Sequence, residues 1–197
     1  QLSTSEFLST KDSSAMFKYS VDHNPDESST IDLDFPNITL STSASSFLKF
    51  NIENYISAIA LISKHLSLTD FNHLNETTIK LPQGRGEILS LKHGKILIDF
   101  AHDNLSIHNI LSELANSFNE IIVVFGCGGD RDKTKRSKMM KAAQDFASKV
   151  FFTSDNNRYE SFSSIAFDAM QGNDHTGTEI IEDRQEAIRS ALKLLNK

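Results

Sequence analysis

The chain has 197 residues, with 26 acidic residues against 20 lysines and arginines, so its formal net charge is −6. This acidic balance argues against a general nucleic-acid binder and against electrostatic attachment to an anionic membrane. A single cysteine excludes an internal disulfide framework, and no apolar run reaches the roughly 18–20 residues that a membrane span needs. The N-terminus lacks the basic start and apolar core of a signal peptide, so we expect a cytoplasmic protein.

The first half of the chain predicts strands followed by helix. Apolar residues alternate with polar ones over 17–21 and 31–35, which predicts half-buried strands, and the polar residues 41–46 suit either a turn or a polar strand face. Residues 52–66 then place apolar side chains three and four apart, which predicts a helix with Asn51 as its N-cap. Thr69 or Asp70 is a candidate cap for a shorter helix to about Lys80.

Strands and helices alternate in the second half of the chain. The predicted strands are residues 95–100, 120–126, 149–154 and 178–181, and the predicted helices are residues 104–118, 135–148, 160–171 and 184–195. This alternation with short loops predicts an α/β domain with a mostly parallel sheet and helices on both faces. Composition divides the chain near Pro82, so we expect domains at residues 1–82 and 83–197. Since no strand follows the last helix, we expect either a piece of a longer protein or an unusually short version of the fold.

Polar side chains collect where three predicted strands end. Asp99 and His102 follow the first strand, the glycine-rich segment 126–136 follows the second, and residues 154–158 follow the third. Ligands of open parallel sheets lie beyond the carboxyl ends of the strands, so these groups line one edge if the three strands share a sheet.

Each of these features also has a purely structural interpretation. Asp99 could cap the following helix, His102 could be an ordinary surface or packed histidine, and the glycine segment could be only a tight turn. The charges over 130–136 could be a solvated run, and residues 155–158 an Asx turn.

The functional interpretation is recognition of an anionic group. Small residues that allow close backbone approach, followed by a fixed guanidinium, suit such a group. Arg158 would bind a carboxylate as a bidentate donor, oriented by Asp155 and Asn156. Cys127 has no neighbouring histidine and is interpreted as a small packed residue, and no Cys/His cluster has metal-ligand spacing.

Four segments in a fixed order resemble a known family. GRGE (84–87), IDFAHDN (98–104), VVFGCGGDRDKTKR (123–136) and SDNNR (154–158) resemble the C-terminal part of Mur ligases, and within them the UDP-N-acetylmuramoyl-tripeptide synthetases. The family patterns are GRxE, DYAHxP, FGCGGDRDxxKR and DNPR. FNIENYISAIA (50–60) resembles a helix start late in the family's central domain, so the resemblance covers about Phe50 to Leu195, and residues 1–49 suit the late strands of that domain.

The resemblance implies a fold and a reaction. Residues 1–82 would be the β-rich and helical end of a central ATP-binding domain, and residues 83–197 a Rossmann-like amino-acid-binding domain that lacks its last strands. The enzyme would use ATP and Mg²⁺ to phosphorylate the carboxylate of a UDP-MurNAc-dipeptide. The amine of a diamino acid, meso-diaminopimelate, would then attack the acyl phosphate in peptidoglycan synthesis.

The resemblance also assigns site residues. Those that match positions near ATP are Asn51, Asn54, Arg85, Asp99 and His102. Those that match positions for the incoming amino acid are Arg131, Asp155, Asn156 and Arg158. An arginine at the end of DNPR goes with meso-diaminopimelate, whose distal carboxylate it binds.

The chain departs from the family at several positions. Asp103 and Asn104 replace Thr-Pro, Asn157 replaces the proline of DNPR, and Gly86 stands where a larger apolar residue is common. The phosphate loop, the lysine that is carbamylated to bind Mg²⁺, and the late GKGHE segment are absent. We therefore expect no catalytic residue and no metal ligand in this chain, and no activity of the fragment alone.

Two other hypotheses stay open at this point. The altered AHDN and DNNR segments are compatible with a related ligase that uses a different amino-acid acceptor. The absent phosphate loop is compatible with a non-catalytic binding relic. The full upstream sequence separates that relic from an enzyme.

Overall fold

The structure is a computed structural model, and it describes residues 8–9, 17–24, 28–35, 38–46, 48–63 and 78–195. The chain folds into two compact units. Unit 1 comprises Gln1–Leu89 and Ile96–Phe100, and unit 2 comprises Ser90–Lys95 and Ala101–Lys197.

Unit 1 contains a mixed sheet with the strand order β1-β2-β3-β4-β5. The strands are β1 (Leu8–Ser9), β2 (Phe17–His23), β3 (Ser29–Phe35), β4 (Ile38–Ala44) and β5 (Thr78–Ile79). The strands β2, β3 and β4 pair antiparallel, whereas β1 is parallel to β2 and β5 is parallel to β4. The alternating strands predicted over 17–21 and 31–35 are confirmed, and residues 41–44 are strand rather than turn.

One helix, α1 (Lys49–Ile62), packs its apolar face on this sheet. Ile31 and Leu33 from β3 and Ile52, Ile56 and Ile59 from α1 are each at most 2% exposed. The core of unit 1 therefore lies between the inward face of the sheet and one face of the helix, as the period-two and helical spacings indicate.

The predicted start of α1 is wrong. The N-cap is Leu48, and Asn51 is the third helical residue. Leu48 is fully buried and its backbone N–H donates to the Ser46 hydroxyl, so the chain is anchored before Asn51 and turns into the helix earlier. The end predicted at residue 66 lies outside the described residues, as does most of the helix expected between Thr69 and Lys80, whose last part, Thr78–Ile79, is strand β5.

A pair of strands, β6 (Glu87–Leu91) and β7 (Gly94–Ile98), forms its own two-stranded sheet. The strand predicted over 95–100 therefore does not join the parallel sheet of unit 2, which corrects the expectation that three strand ends share one edge. Only Lys92 and His93 separate the two strands. A partner so close in sequence costs little chain entropy to pair, which explains the hairpin.

Unit 2 contains a parallel sheet with the strand order β10-β9-β8. The strands are β8 (Ile122–Phe125), β9 (Lys149–Phe152) and β10 (Thr178–Ile180), and the helices are α2 (Asn104–Leu114), α3 (Thr134–Gln144), α4 (Phe162–Met170) and α5 (Arg184–Leu195). The predicted helices and strands of this unit are confirmed in type and order. Helices α2 and α3 end four residues before the predicted bounds; α2 gives way to turns over 115–118.

Helices cover both faces of this sheet. On one face, Phe125, Val150 and Phe152 pack with residues of α2, α3 and α4. On the other face, Phe151 packs with Ala187 and Ala191 of α5. The α/β architecture with a parallel sheet covered on both sides is therefore confirmed. Among the described residues, no helix is long and apolar enough to cross a membrane.

Candidate functional site

Two loops lie against each other at the carboxyl ends of β8 and β9. Gly129 N–H donates to the Asn156 carbonyl over 2.8 Å. A Cβ at Gly126 would lie 2.3 Å from the Thr153 carbonyl oxygen, and a Cβ at Gly129 would lie 1.9 Å from that of Asn157. Glycine is required at both positions because any side chain would collide with backbone that cannot move aside.

Two of the predicted amino-acid-binding residues meet over Gly128. A Cβ at Gly128 would lie 3.1 Å from Nη1 of Arg158 and 3.7 Å from Cγ of Arg131. Both arginines are exposed to solvent at the loop surface. The structure thus brings two arginine side chains next to Gly128, beyond the ends of two parallel strands, which is where ligands of such sheets bind.

Arg158 is oriented differently from the sequence-based expectation. Its Nη1 donates to the Gly129 carbonyl over 2.5 Å, and not to Asp155 or Asn156. The close approach of the two loops explains this, because it places that carbonyl beside the guanidinium. The backbone of Arg158 is left-handed, with φ of +49°.

Asp155 and Asn156 expose their side chains at the start of the second loop. The Asp155 Cβ lies 3.2 Å from the place that a Cβ on Gly126 would occupy. Asn156 contributes to the loop pairing through its carbonyl. Asn157, which replaces the proline of the family pattern, has a buried Oδ1 without a hydrogen-bond partner in the described part of the chain.

A buried arginine beneath these loops was not singled out by sequence. Arg136 on α3 is 1% exposed, and its guanidinium donates to Glu160, Asp168 and the Gly128 carbonyl. As the last residue of the charged segment 130–136, Arg136 could belong to a solvated run, but the structure buries it. The signal that could have found it is its helical spacing from Met139, Met140 and Ala143, which marks the inward face of α3.

This ionic cluster shifts the titration of its members. Hydrogen bonds from Arg136 and Lys133 hold the pKa of Glu160 well below its usual range. The hydrogen bond to Glu160 raises the pKa of Arg136. Glu160 and Arg136 are therefore both ionised at neutral pH.

Cys127 lies within the glycine segment but takes no part in its surface. The side chain is 5% exposed, and burial raises the pKa of the thiol to about 12. A thiol protonated at neutral pH is not a nucleophile. The interpretation of Cys127 as a small packed residue is confirmed.

Three predicted ATP-binding residues are close together in unit 1. Gly86 N–H donates to Oδ2 of Asp99 over 2.8 Å. A Cβ at Gly86 would lie 2.5 Å from Nδ2 of Asn51, whose side chain is buried and also donates to the Ser46 hydroxyl. Arg85 precedes Gly86 and places its guanidinium 4.3 Å from the centroid of the Phe100 ring.

The alternative role of Asp99 as a helix cap is wrong, because Asp103 caps α2.

The two other predicted ATP-binding residues are exposed. Asn54 lies on α1 almost one turn after Asn51. His102 belongs to unit 2, next to the N-cap Asp103. No group of three or more His, Cys, Asp or Glu residues in the described ranges is arranged to hold a metal ion, and we assign Mg²⁺ no ligand among them.

Comparison with known proteins identifies the family. The model for "Mur ligase, glutamate ligase domain" matches residues 84–197. The chain belongs to the Mur ligase family. Its fold is that of the Rossmann-like C-terminal domain of these ligases, preceded by the mixed sheet and helix of unit 1.

Similar Mur ligases carry one recurring name. A UDP-N-acetylmuramoyl-L-alanyl-D-glutamate–2,6-diaminopimelate ligase of Halalkalibacterium halodurans is 36% identical over 152 residues, which are 74% of this chain and 30% of the relative. The ligase of that name from Fusobacterium nucleatum is 36% identical over 153 residues, 75% of this chain and 31% of the relative. The chain thus spans about 30% of the length of these curated relatives.

A solved structure supports the same assignment. The structure of a UDP-N-acetylmuramoyl-L-alanyl-D-glutamate–2,6-diaminopimelate ligase matches 93% of this chain and 38% of its own chain. The TM-score is 0.58 and the sequence identity is 31%.

Proposed function

We propose that the full-length protein containing this chain is an ATP-dependent ligase that adds meso-diaminopimelate to UDP-MurNAc-L-Ala-D-Glu. Residues 83–197 would form the domain that binds the amino acid, and residues 1–82 the end of the ATP-binding domain. The protein would act in the cytoplasm, with Mg²⁺ bound by residues outside those described. The observation that carries the proposal is the meeting of Arg131 and Arg158 over Gly128.

The chemistry of the amino acid fits this pair of cations. Meso-diaminopimelate has a carboxylate at each end, and a guanidinium binds a carboxylate through two parallel charge-assisted hydrogen bonds. Lysine has an ammonium in place of the distal carboxylate. A guanidinium facing that end therefore selects against lysine, because two cations would oppose each other.

The resemblance to Mur ligases implies the reaction. The γ-phosphoryl group of ATP would be transferred to the D-glutamate carboxylate, which gives an acyl phosphate and releases ADP. The deprotonated amine of the diamino acid attacks the acyl carbon, an amide bond forms, and inorganic phosphate leaves. In this scheme Arg131, Asp155, Asn156 and Arg158 hold the amino acid, and Asn51, Asn54, Arg85, Asp99 and His102 contact ATP. No residue of this chain acts on the reacting atoms, so the fragment alone would be inactive.

A coupled ADP-release assay on the full-length protein tests the proposal. We expect ADP release with the UDP-MurNAc-dipeptide and meso-diaminopimelate, and little with L-lysine. Arg158→Ala should cost about 2–5 kcal/mol of amino-acid binding, seen as a raised KM, when the bound amino acid shields the pair of guanidinium and carboxylate from water. The matched control is Arg189→Ala, an exposed arginine on α5. An unchanged KM in Arg158→Ala would exclude the assigned role.

A ligase with a different acceptor is the second candidate. It is favoured by the departure at Asn157, whose buried Oδ1 lacks a protein donor, and by the hydrogen bond that Arg158 already makes to Gly129. ADP release with another amino acid from a panel, and none with meso-diaminopimelate, would select this candidate. No release with any amino acid would favour a binding relic.

A further inference from the structure

The inference concerns the ionic cluster beneath the two binding loops. Arg136 extends from α3 between Glu160 at the end of the second loop and Asp168 on α4. Its Nη1 donates to Glu160 Oε1 and to Asp168 Oδ2, each over 2.8 Å, and its Nη2 donates to Glu160 Oε2 over 2.6 Å. The pair of Arg136 and Glu160 is therefore bidentate and almost fully withdrawn from water.

The same two side chains also hold the backbone of the first loop. Nη2 of Arg136 donates to the Gly128 carbonyl over 3.1 Å, and Glu160 Oε2 accepts the Asp130 N–H over 3.2 Å. These contacts fall on either side of Gly129. One ion pair thus fixes consecutive backbone groups of the segment that precedes Arg131.

The loops are tied together a second time at their surface. Asp130 Oδ2 accepts the Tyr159 N–H over 3.1 Å, and Arg158 donates to the Gly129 carbonyl. Asp130 and Arg158 both have left-handed backbones, with φ of +50° and +49°. A non-glycine residue holds such a conformation only where its surroundings over-determine it. The ion pair and these backbone bonds supply that restraint.

A purely structural role does not explain where these contacts go. A buried ion pair is often no better for stability than apolar residues of the same volume, so its presence needs another reason. Asp168 gives Arg136 a second carboxylate from α4, whereas Glu160, at the end of the second loop, also accepts a hydrogen bond from the first loop. Asp168 therefore anchors the arginine, whereas Glu160 anchors the arginine and also holds the first loop.

We propose that Arg136 and Glu160 are positioning residues that lock the two amino-acid-binding loops together and so set the separation of Arg131 and Arg158. They act through Gly128 and Asp130 without touching the amino acid. This inference rests on the proposed function for the identity of the ligand, but not for the coupling of the loops.

The test compares two isosteric variants of the full-length protein. Glu160→Gln weakens the contacts to Arg136, Lys133 and Asp130, and Asp168→Asn weakens the other ion pair of Arg136, which has a single hydrogen bond. We expect Glu160→Gln to raise the KM for the amino acid at least tenfold with the KM for ATP changed less than twofold. Asp168→Asn should lower the melting temperature by a smaller amount and leave both KM values within twofold.

Variants of Arg136 test whether its charge alone is sufficient for amino-acid binding. Arg136→Lys keeps the charge but loses the bidentate geometry, so its KM for the amino acid should fall between those of the wild type and Arg136→Met. If Arg136→Met does not fold, the comparison of Glu160→Gln with Asp168→Asn decides the proposal. An equal rise of KM in both of those variants, or no rise in folded Glu160→Gln, overturns it.

Amide hydrogen exchange tests the coupling of the two loops independently of the identity of the ligand. Exchange at Gly129 and Asp130 should accelerate at least tenfold in Glu160→Gln and stay unchanged in Asp168→Asn. If exchange changes in this way but the wild type has no ligase activity, the proposed function is contradicted and the loop coupling is supported. Unchanged exchange in Glu160→Gln would overturn the coupling whatever the activity.

Discussion

In unit 2, a buried guanidinium between carboxylates holds the two loops that follow β8 and β9. In unit 1, backbone N–H groups that donate to side chains hold the segment before β6. In unit 1, Gly86 N–H donates to Asp99 and Gly84 N–H donates to Glu87. In unit 2, Gly126 and Gly129 face backbone atoms of the neighbouring loop, but Gly86 in unit 1 faces the amide of Asn51. The loops of unit 2 therefore tolerate less change than the segment of unit 1.

Gly129→Ala should have the largest effect on the full-length protein. Its Cβ would lie 1.9 Å from the Asn157 carbonyl oxygen and 2.7 Å from the carbonyl carbon, so the two loops would have to separate. We expect a loss of about 3 kcal/mol or more in the free energy of unfolding, measured by urea denaturation. Amino-acid binding should be lost as well.

Gly94→Ala in unit 2 is the control for Gly129→Ala. Its Cβ would meet the end of the Leu195 side chain at 3.1 Å, which can rotate away. We expect a cost of about 1 kcal/mol or less. Equal stability of the two alanine variants would contradict the view that the loops of unit 2 are rigidly apposed.

Gly86→Ala should have an intermediate effect. Its left-handed backbone, with φ of +65°, costs an alanine about 1–2 kcal/mol. The added collision is with the Asn51 side chain, which can yield. We expect a raised KM for ATP with an unchanged KM for the amino acid.

A double-mutant cycle sharpens this result. Asn51→Ala removes the side chain that the new Cβ would meet, so the double variant should lose less free energy of unfolding than the sum of the single variants. Strict additivity would mean that the backbone conformation of Gly86 accounts for the whole cost. The chain would then require glycine at position 86, as it does at Gly126 and Gly129.

The sequence was most informative where chemistry and backbone geometry are local. The glycine segment after β8 and the arginine after β9 were recognised because strand ends and glycines leave a direct mark on sequence. Arg136 lies in a charge run, and only its helical spacing from Met139 and Ala143 marks it as an inward-facing residue. The decisive partners, Glu160 and Asp168, lie 24 and 32 residues away and cannot be paired from one sequence.

The errors in unit 1 have a similar origin. Asn51 has good N-cap chemistry, but burial of Leu48 starts the helix earlier. Asp99 also has cap chemistry, but Asp103 forms a capping box with Ser106. In both cases local propensity identified the residue type, and tertiary contacts chose the position. Tertiary contacts also bring Asn51 and Asp99 to Gly86, and no local sequence pattern predicts this arrangement.

Asp103→Ala and Asp103→Asn should give the smallest effects, because this contact is local to α2 and belongs to neither loop system. Asp103 Oδ1 accepts the Ser106 N–H over 2.8 Å, and this bond lowers the pKa of Asp103. Asp103→Ala should cost about 1 kcal/mol at pH 7, while Asp103→Asn keeps the cap and should cost a few tenths.

The pH dependence of these variants gives a sign that can be checked. A pKa lower in the folded state means that the Asp103 carboxylate stabilises the fold above its unfolded pKa of about 3.9, and that this contribution is lost as the pH falls through the folded pKa. The advantage of the wild type over Asp103→Asn in urea denaturation should therefore shrink on acidification below about pH 4. Both KM values should stay unchanged in these variants, and a raised KM would contradict the view that this cap only stabilises α2.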